Sequence, residues 1–570
     1  MSLNPTGTQS SASQGSASPS ATQGPSATQG QVTTRGAYLA LTAALLGWMF
    51  DGAEMGLFSL VGRPAIQDLL GPQREAEVAR WLGVITALFL VGAATGGVLF
   101  GWLGDRVGRV RAMSISIVTY AVFTSLCGLS NTPWELGLYR FIASLGMGGE
   151  WSLGVALVME MFPNKSRATM AGYIGAAANV GYLIVGFIGL ALTQVIGSIE
   201  STLYGIGLSE DWVKHLTANQ GWRIMMLLGI VPAILTFFIR LMVPESEKWK
   251  ETQLAGQTSH WNSVDLIGVL IGMLGPALMV YLYAFDATGE IKHTLSLRLI
   301  ATVGGLLLAL VGYLYPVYQY QKRASLAKDQ ALTAGEKQAA HNSRMLLRMM
   351  LGAGLSGVAL LGTWGATQQA PAWADKMTET KFKEEKAQLI AAGNVAAAEQ
   401  LVRPRAKEVM LICLSAGATL GAILAAWLGD LLGRRKTYFA LCIVSWFSAI
   451  LLFQGTSGTY GTPLLVFAFI AGVCTASFYG WLPLYLPELF PTRIRATGQG
   501  FSFNFGRILA AIGSFQLGTL VLFFEDGIDL GFVKLSGGYA SACLVLSCVY
   551  FVGMVLIWFA PETKNEPLPE

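Results

Sequence analysis

The octet Trp102-Leu-Gly-Asp-Arg-Val-Gly-Arg109 returns 325 positions later as Trp427-Leu-Gly-Asp-Leu-Leu-Gly-Arg434. A second pattern, E-x-F-P-x-x-x-R-A-T-x-x-G, runs from Glu160 to Gly172 and again from Glu488 to Gly500, an offset of 328. Two independent motifs duplicated at nearly one spacing mark two homologous halves. The question is what medium those halves are built for.

Composition answers it. The chain of 570 residues is 53% hydrophobic and only 13% charged, against roughly 25% charged residues in soluble domains. So few charges cannot cover the surface of a soluble protein this large. The 67 glycines suit close packing of membrane helices. A net charge of +4 is too small to argue for nucleic acid. The six cysteines lie in or beside apolar runs, with no disulfide framework and no metal spacing. The four histidines fall in loops, with no catalytic triad, metal cluster or phosphate-binding loop. The pattern therefore predicts neither an enzyme nor an ATP-driven pump, and no cofactor.

Runs long enough to cross a bilayer, which takes about 20 residues, are expected near 37–60, 81–103, 112–130, 134–161, 168–198, 222–243, 264–285, 297–319, 345–368, 408–428, 437–455, 462–486, 496–524 and 538–560. The fourteen spans divide into a six-helix bundle (35–244), a central linker with two extra helices (245–343) and a second six-helix bundle (344–564). Residues 1–34, with no charged side chain and no apolar run, read as a flexible tail and not as a secretory signal; 565–570 form a second tail. Arg106, Arg109, Arg111, Lys165, Arg167, Arg434, Arg435, Lys436, Arg493 and Arg495 fall in alternate short loops, whereas 131–133 and 456–461 have no Lys or Arg. The positive-inside rule then puts both termini in the cytoplasm. Segment 369–407 breaks the rule: it should be external, yet it is rich in Lys and Arg, nearly balanced by Asp375, Glu379, Glu384, Glu385 and Glu399, and amphipathic helices capping the outer face are expected there. Duplicated halves around a midplane site describe a secondary transporter.

The block Gly101 to Arg109 resembles the loop signature of the major facilitator superfamily. Arg140-Phe-Ile-Ala-Ser-Leu-Gly-Met-Gly-Gly-Glu150, Pro244-Glu-Ser-Glu-Lys-Trp249 and Pro487-Glu-Leu-Phe-Pro-Thr-Arg493 fit it too, and the resemblance covers residues 36 to 564. The fourteen-span layout, with Phe50-Asp-Gly-Ala-Glu54, is similar to the sialate/metabolite:proton symporter group. The implied fold is all-α, two six-helix bundles related by a pseudo-twofold axis, with two inserted central helices. The resemblance also implies an inner latch of salt bridges, formed by Asp105, Arg109, Glu160 and Arg167 and repeated as Asp430, Arg434, Glu488 and Arg495. The same arginines also serve plain topology.

Charges inside spans cost about 2.5–3.5 kcal/mol each at the bilayer centre, so function is their default reading. Glu54 and Arg140 fall at matched depth, about 9 Å from the outer surface at 1.5 Å per residue, and can pair. The resemblance makes them a proton-coupling pair; a static ion pair is the other reading. Asp51, on the same helical face as Glu54, reads as the proton carrier or as a ligand for a hydroxyl or cation. Glu150 reads as a second proton station or a packing acid. Arg507, with Asn179 opposite it by the repeat offset, suits bidentate recognition of a carboxylate or a permanent pair with Asp51 or Glu54. Gln368 and Gln369 resemble a glutamine pair of sugar porters. Tyr479, Trp481 and Asn504 are further candidate substrate contacts, and Tyr485 a further aromatic face.

The expected function is proton-coupled symport of a small organic anion or sugar acid by alternating access, in a cell membrane and as a monomer. The alternatives are a neutral sugar or polyol porter or uniporter, and, more distantly, a nutrient-sensing receptor.

Overall fold

The computed structural model describes residues 34–162, 166–286, 295–329, 335–456, 458–529, 531 and 534–570. The expected tail up to residue 33, and Lys165 of the basic loops, lie outside them. The first half runs through α1 (Thr34–Leu70), α2 (Val78–Val107), α3 (Arg109–Cys127), α4 (Pro133–Met161), α5 (Arg167–Leu190), α6 (Leu192–Gly205), α7 (Glu210–Leu227) and α8 (Val231–Met242). The connection carries α9 (Glu247–Leu254), α10 (Leu266–Asp286) and α11 (Leu295–Asp329). The second half has α12 (Gly335–Leu360), α13 (Ala370–Ala391), α14 (Val395–Gln400), α15 (Ala406–Leu432), α16 (Arg434–Gln454), α17 (Thr462–Thr475), α18 (Phe478–Tyr485), α19 (Arg495–Phe523), α20 (Tyr539–Ser547) and α21 (Val549–Leu556).

Among the described residues thirteen helices are long and apolar enough to span a membrane. The expected sixth segment, 222–243, is assembled from the end of α7, a 3-10 turn at Leu228–Ile230 and α8. The first span is longer than expected, continuing to Leu70 through Pro64, so Glu54 lies well inside its helix. In segment 369–407 the expected helices are α13 and α14, and a run of helical turns joins α13 to α12.

The two halves are six-helix bundles facing each other across a pseudo-twofold axis, with the α10–α11 hairpin outside. In the first, α4 packs on α1, α2 and α3; in the second, α12 packs on α19, and α17 on α15 and α16. Contacts of α2 with α19 and of α5 with α15 join the halves, while α10 rests on α2. Two turns show why the octet is glycine-punctuated. Gly108 (φ 111°) and Gly433 (φ 95°) both take conformations that L side chains rarely adopt. A Cβ at Gly108 would also fall 2.4 Å from Glu245 Oε2.

Glycine sets the helix spacing too. A Cβ at Gly148 would stand 2.0 Å from the Ala93 carbonyl oxygen, whereas one at Gly304, on α11, meets nothing within 4 Å. Gly148→Val should therefore cost about 1–3 kcal/mol or more by overpacking and lower the unfolding temperature in detergent. Gly304→Val should leave that temperature nearly unchanged.

Candidate functional site

The Arg-rich turns at one face build a bolt between the bundles. Glu160, at the end of α4, accepts from Arg109 Nη2 (3.1 Å), from Arg495 Nη1 (2.9 Å) and from the Ser246 hydroxyl. Asp105 accepts from Arg109 Nη1 at 2.6 Å, from the backbone N–H groups of Ala496 (3.2 Å) and Thr497 (2.9 Å), and from the Thr497 hydroxyl (2.6 Å). Arg109 Nη2 also donates to the Thr492 carbonyl at 2.7 Å. The side chains of Asp105, Arg109, Glu160 and Arg495 are all 0% exposed. Buried charges satisfied by partners on the opposite bundle hold that face shut.

The second set is not a copy. Arg434 binds Glu488 through Nε (3.0 Å) and Nη2 (2.6 Å), and Arg167 approaches Glu488 only to 4.0 Å. Asp430 is half exposed and reaches Arg434 at 3.4 Å, its own neighbour on the chain. The crossing anchors are thus concentrated at Asp105 and Glu160.

A third duplication escaped the motif reading. Pro244-Glu-Ser246 returns as Pro561-Glu-Thr563, an offset of 317. Glu245 accepts the N–H groups of Arg109 and Val110, and Glu562 those of Arg434 and Arg435, so each caps the helix behind an octet. Ser246 then donates to Glu160, and Thr563 to Glu488 at 2.5 Å. Burial lifts the Glu245 carboxyl above its ordinary range. At Glu562 burial works the same way, but the N–H groups of Arg434, Arg435 and Lys564 outweigh it and the carboxyl lies below its ordinary range. The short tail beyond crosses the same face: Arg495 Nη2 donates to the Pro569 carbonyl at 2.7 Å, and Lys248 lies 3.5 Å from Glu570.

Breaking a buried pair by deleting one partner costs about 3–5 kcal/mol, and about 1.4 kcal/mol already shifts an equilibrium tenfold. Arg495→Ala should therefore open this face. In a cysteine-depleted background, alkylation of a cysteine at the buried Ser152, whose carbonyl accepts from Gln499 of the other bundle, should speed up at least tenfold.

Midway along the helices a second set of charges is buried without ordinary partners. Asp51 is 0% exposed and Glu150 2%, and neither oxygen of either carboxyl has a donor from the rest of the protein. The two carboxyls are charged neighbours, one on α1 and one on α4. Gly47 makes room for Glu150: a Cβ there would meet Glu150 Oε1 at 1.7 Å. Arg507, 2% exposed, is the basic neighbour of Asp51, yet its Nε and Nη1 make no hydrogen bond. The guanidinium lies over the Phe503 ring at 5.6 Å, and Phe503 stacks on Trp151 at 3.9 Å.

The other expected residues separate clearly. Glu54 is paired with Arg140 and accepts from the Thr124 hydroxyl at 3.4 Å. Arg140 is itself sandwiched over Phe58 (4.2 Å) and Phe89 (4.7 Å). Tyr479 bonds Thr363 at 2.7 Å and lies within electrostatic reach of Arg507 and Tyr182. Asn179 turns back to the Gly175 carbonyl of its own helix at 3.1 Å.

One expectation needs correction. Trp481 is no cavity wall: it donates to the Arg434 carbonyl at 3.1 Å and stacks on Tyr485, inside the second bundle beneath the bolt. Tyr485 likewise donates to the Pro561 carbonyl. Asn504 leaves its Oδ1 buried without a hydrogen-bond partner. Its Nδ2 donates to the carbonyls of Gly148 (2.9 Å) and Gly500 (3.0 Å), tying α19 to α4. Gln369 donates to the Trp364 carbonyl at 2.8 Å, and Gln368 is half-buried beside it. The sequence reading missed Tyr182, Trp151 and Phe503, since aromatics in apolar spans carry no signal separating a wall from packing. At the opposite face the halves also meet, with Gly186 against Ile412 and Arg405 Nη1 on the Gly189 carbonyl at 3.2 Å. The charged centre is enclosed from both sides.

Comparison with known proteins places this arrangement. The family described as "Sugar (and other) transporter" matches residues 39–258 and 299–519. The cis,cis-muconate transport protein of Acinetobacter baylyi is 25% identical over 93% of this chain and 95% of its own length. A putative metabolite transport protein of Haemophilus influenzae is also 25% identical, over 93% and 97%. Among solved structures, the proton:xylose symporter XylE superposes with a TM-score of 0.58 at 16% identity, over 94% of this chain and 98% of its own, a likeness of fold. With duplicated halves bolted around an enclosed charged centre, and a family match on both, this chain belongs to the sugar (and other) transporter family of the major facilitator superfamily, a family of membrane transporters and not of enzymes.

Proposed function

We propose that the protein is a proton-coupled symporter of a small organic anion carrying a carboxylate, working by alternating access in a cell membrane with fourteen crossings. The observation that carries this reading is the enclosed centre itself: a guanidinium on Arg507 whose Nε and Nη1 lack acceptors, beside two carboxyls without donors, Asp51 and Glu150. Buried polar groups are nearly always satisfied, so charged groups of opposite sign left together without partners call for an explanation, which a bound ligand and a proton supply. A substrate carboxylate beside Arg507 supplies the charge-assisted acceptor that its unpaired Nε and Nη1 donors lack. It also competes with Asp51 for the same positive charge, which favours protonation of the acid as substrate arrives.

In this reading the Arg-rich face is cytoplasmic and the inner bolt is closed. Protons enter from outside at the Asp51–Glu150 pair. Glu54 and Arg140, already matched, hold α1 against α4 and relay the charge state. With substrate and proton both bound, the centre is neutral enough to rock past the apolar walls. The bolt at Asp105 and Glu160 then opens inward. The muconate transporter among the relatives, whose name gives a carboxylate substrate, supports the anion over a neutral sugar.

Uptake into proteoliposomes under an imposed inward pH gradient tests the reading. Accumulation of a carboxylate such as cis,cis-muconate, sialate or a hexuronate, abolished by a protonophore, is expected. Uptake of neutral hexoses alone, indifferent to the gradient, would replace it with the sugar porter or uniporter.

A further inference from the structure

The inserted hairpin turns apolar side chains outward, Leu274 on α10 and Ile300 and Val311 on α11 among them. Its end at the bolt face is built differently. Between α9 and α10 the chain makes two 3-10 turns, Gln257–His260 and Ser263–Asp265, and α11 fixes their shape. The Tyr320 hydroxyl donates to the Gln257 carbonyl at 3.1 Å. Arg323 donates through Nε to the His260 carbonyl (2.7 Å) and through Nη1 to the buried Asp265 carboxylate (3.0 Å). Trp261, between the two turns, stacks on Tyr320 at 4.4 Å and is 3% exposed.

This assembly is tied to the first half. α10 rests on α2, and Arg106, in the last turn of α2, donates to the Ser263 hydroxyl at 2.5 Å. Deeper in the bundle, Thr95 gives its hydroxyl hydrogen to the Val91 carbonyl at 2.9 Å, so Tyr313 of α11 donates to Thr95 across 2.7 Å. Trp261 nevertheless reaches the second half: its Nε1 donates to the Arg493 carbonyl at 3.3 Å. Arg493 lies in the turn Thr492–Ile494 that leads into α19. The Thr492 carbonyl of that turn takes Arg109, and Arg495 directly behind it binds Glu160. The bolt and the insert grip the same turn.

We infer that the inserted hairpin braces the bolt, with Trp261 as a positioning residue that holds the start of α19 where Arg495 meets Glu160 and that lets go when this face opens. The inference rests on the alternating-access reading above. A hairpin serving only to fill lipid has no use for a buried acid at its end, because burying a charged pair costs desolvation. Here Asp265 and Arg323 shape a turn, and what the turn presents is the Trp261 indole, an apolar body with one polar handle. Its bond to Arg493 joins neutral groups and is worth little net, which suits a contact broken and remade in every cycle.

The test measures alkylation of a cysteine at Ser152 in the full-length, cysteine-depleted protein, together with the unfolding temperature in detergent. Trp261→Phe keeps a ring on Tyr320 and loses only the N–H. It should speed alkylation about threefold with the unfolding temperature unchanged. Trp261→Ala should speed it about five- to tenfold, and Ile300→Ala, on the outward face of α11, should leave it as in wild type. Equal rates in wild type and both Trp261 variants overturn the brace. So does an acceleration that Ile300→Ala matches, or one confined to Trp261→Ala and accompanied by a lower unfolding temperature, which is general loosening. Absence of carboxylate uptake by wild type, with the Trp261 effects on alkylation intact, overturns the transport reading and leaves the brace standing.

Discussion

Arg507→Gln is expected to reduce carboxylate uptake by about thirtyfold or more, while the protein still inserts and purifies as a single species. The guanidinium is 2% exposed with Nε and Nη1 unpaired, so little of the fold depends on its hydrogen bonds. A charge-assisted bond removed from a buried site costs about 2–5 kcal/mol, which spans roughly thirtyfold to several thousandfold at about 1.4 kcal/mol per decade. Arg507→Lys sharpens the point. It keeps the charge but loses the planar fork, so KM should rise about ten- to a hundredfold with a smaller change in kcat. Both variants are read by initial-rate uptake into proteoliposomes. Equal uptake by wild type and Arg507→Lys would argue for a neutral substrate that never meets the fork.

The second large effect is on coupling. Asp51→Asn and Glu150→Gln each replace one member of the carboxyl pair by an amide that cannot carry the proton across. Either variant should lose uphill accumulation, by about two decades in the steady-state gradient, since a tenfold gradient corresponds to about 1.4 kcal/mol. Counterflow, which exchanges labelled for unlabelled substrate without net proton movement, should persist within about threefold. Glu54→Gln is expected to behave differently. Arg140 would then be left buried without its anion, at a cost of about 3–5 kcal/mol, so this variant should lose stability and transport together. Accumulation that survives in Asp51→Asn but fails in Glu54→Gln with stability intact would move the proton to the Glu54–Arg140 pair.

How far the sequence alone reached can be judged residue by residue. The octets and the E-x-F-P repeat located Asp105, Arg109, Glu160 and Arg495 because helix-end charges in short loops have little freedom: the motif spacing is the geometry. The same logic could have found Ser246 and Thr563, whose repeat of three residues was too short to stand out from its neighbours. Charges inside apolar spans singled out Asp51, Glu150 and Arg507, since a bilayer-spanning helix keeps so costly a group only where it is used. Their grouping depended on how far apart α1, α4 and α19 pack, and Gly47 sets the α1–α4 spacing through a close contact with Glu150 that no local pattern reveals. Trp481 went astray for a related reason. It points toward a neighbouring helix in a direction fixed by bundle rotation, and its N–H found a backbone carbonyl there. Asp430 had the motif but not the neighbour: its counterpart Asp105 meets the start of α19, whereas Asp430 remains half exposed beside Arg434.

Proton movement driven by substrate is the most direct measure of the whole account. In proteoliposomes loaded with a pH-sensitive dye and held without an initial pH gradient, adding cis,cis-muconate outside should acidify the lumen. The signal should vanish in Arg507→Gln and in Asp51→Asn, and a neutral hexose should evoke none. Lumenal acidification that follows a hexose, or labelled muconate entering with no change in dye signal, would contradict it.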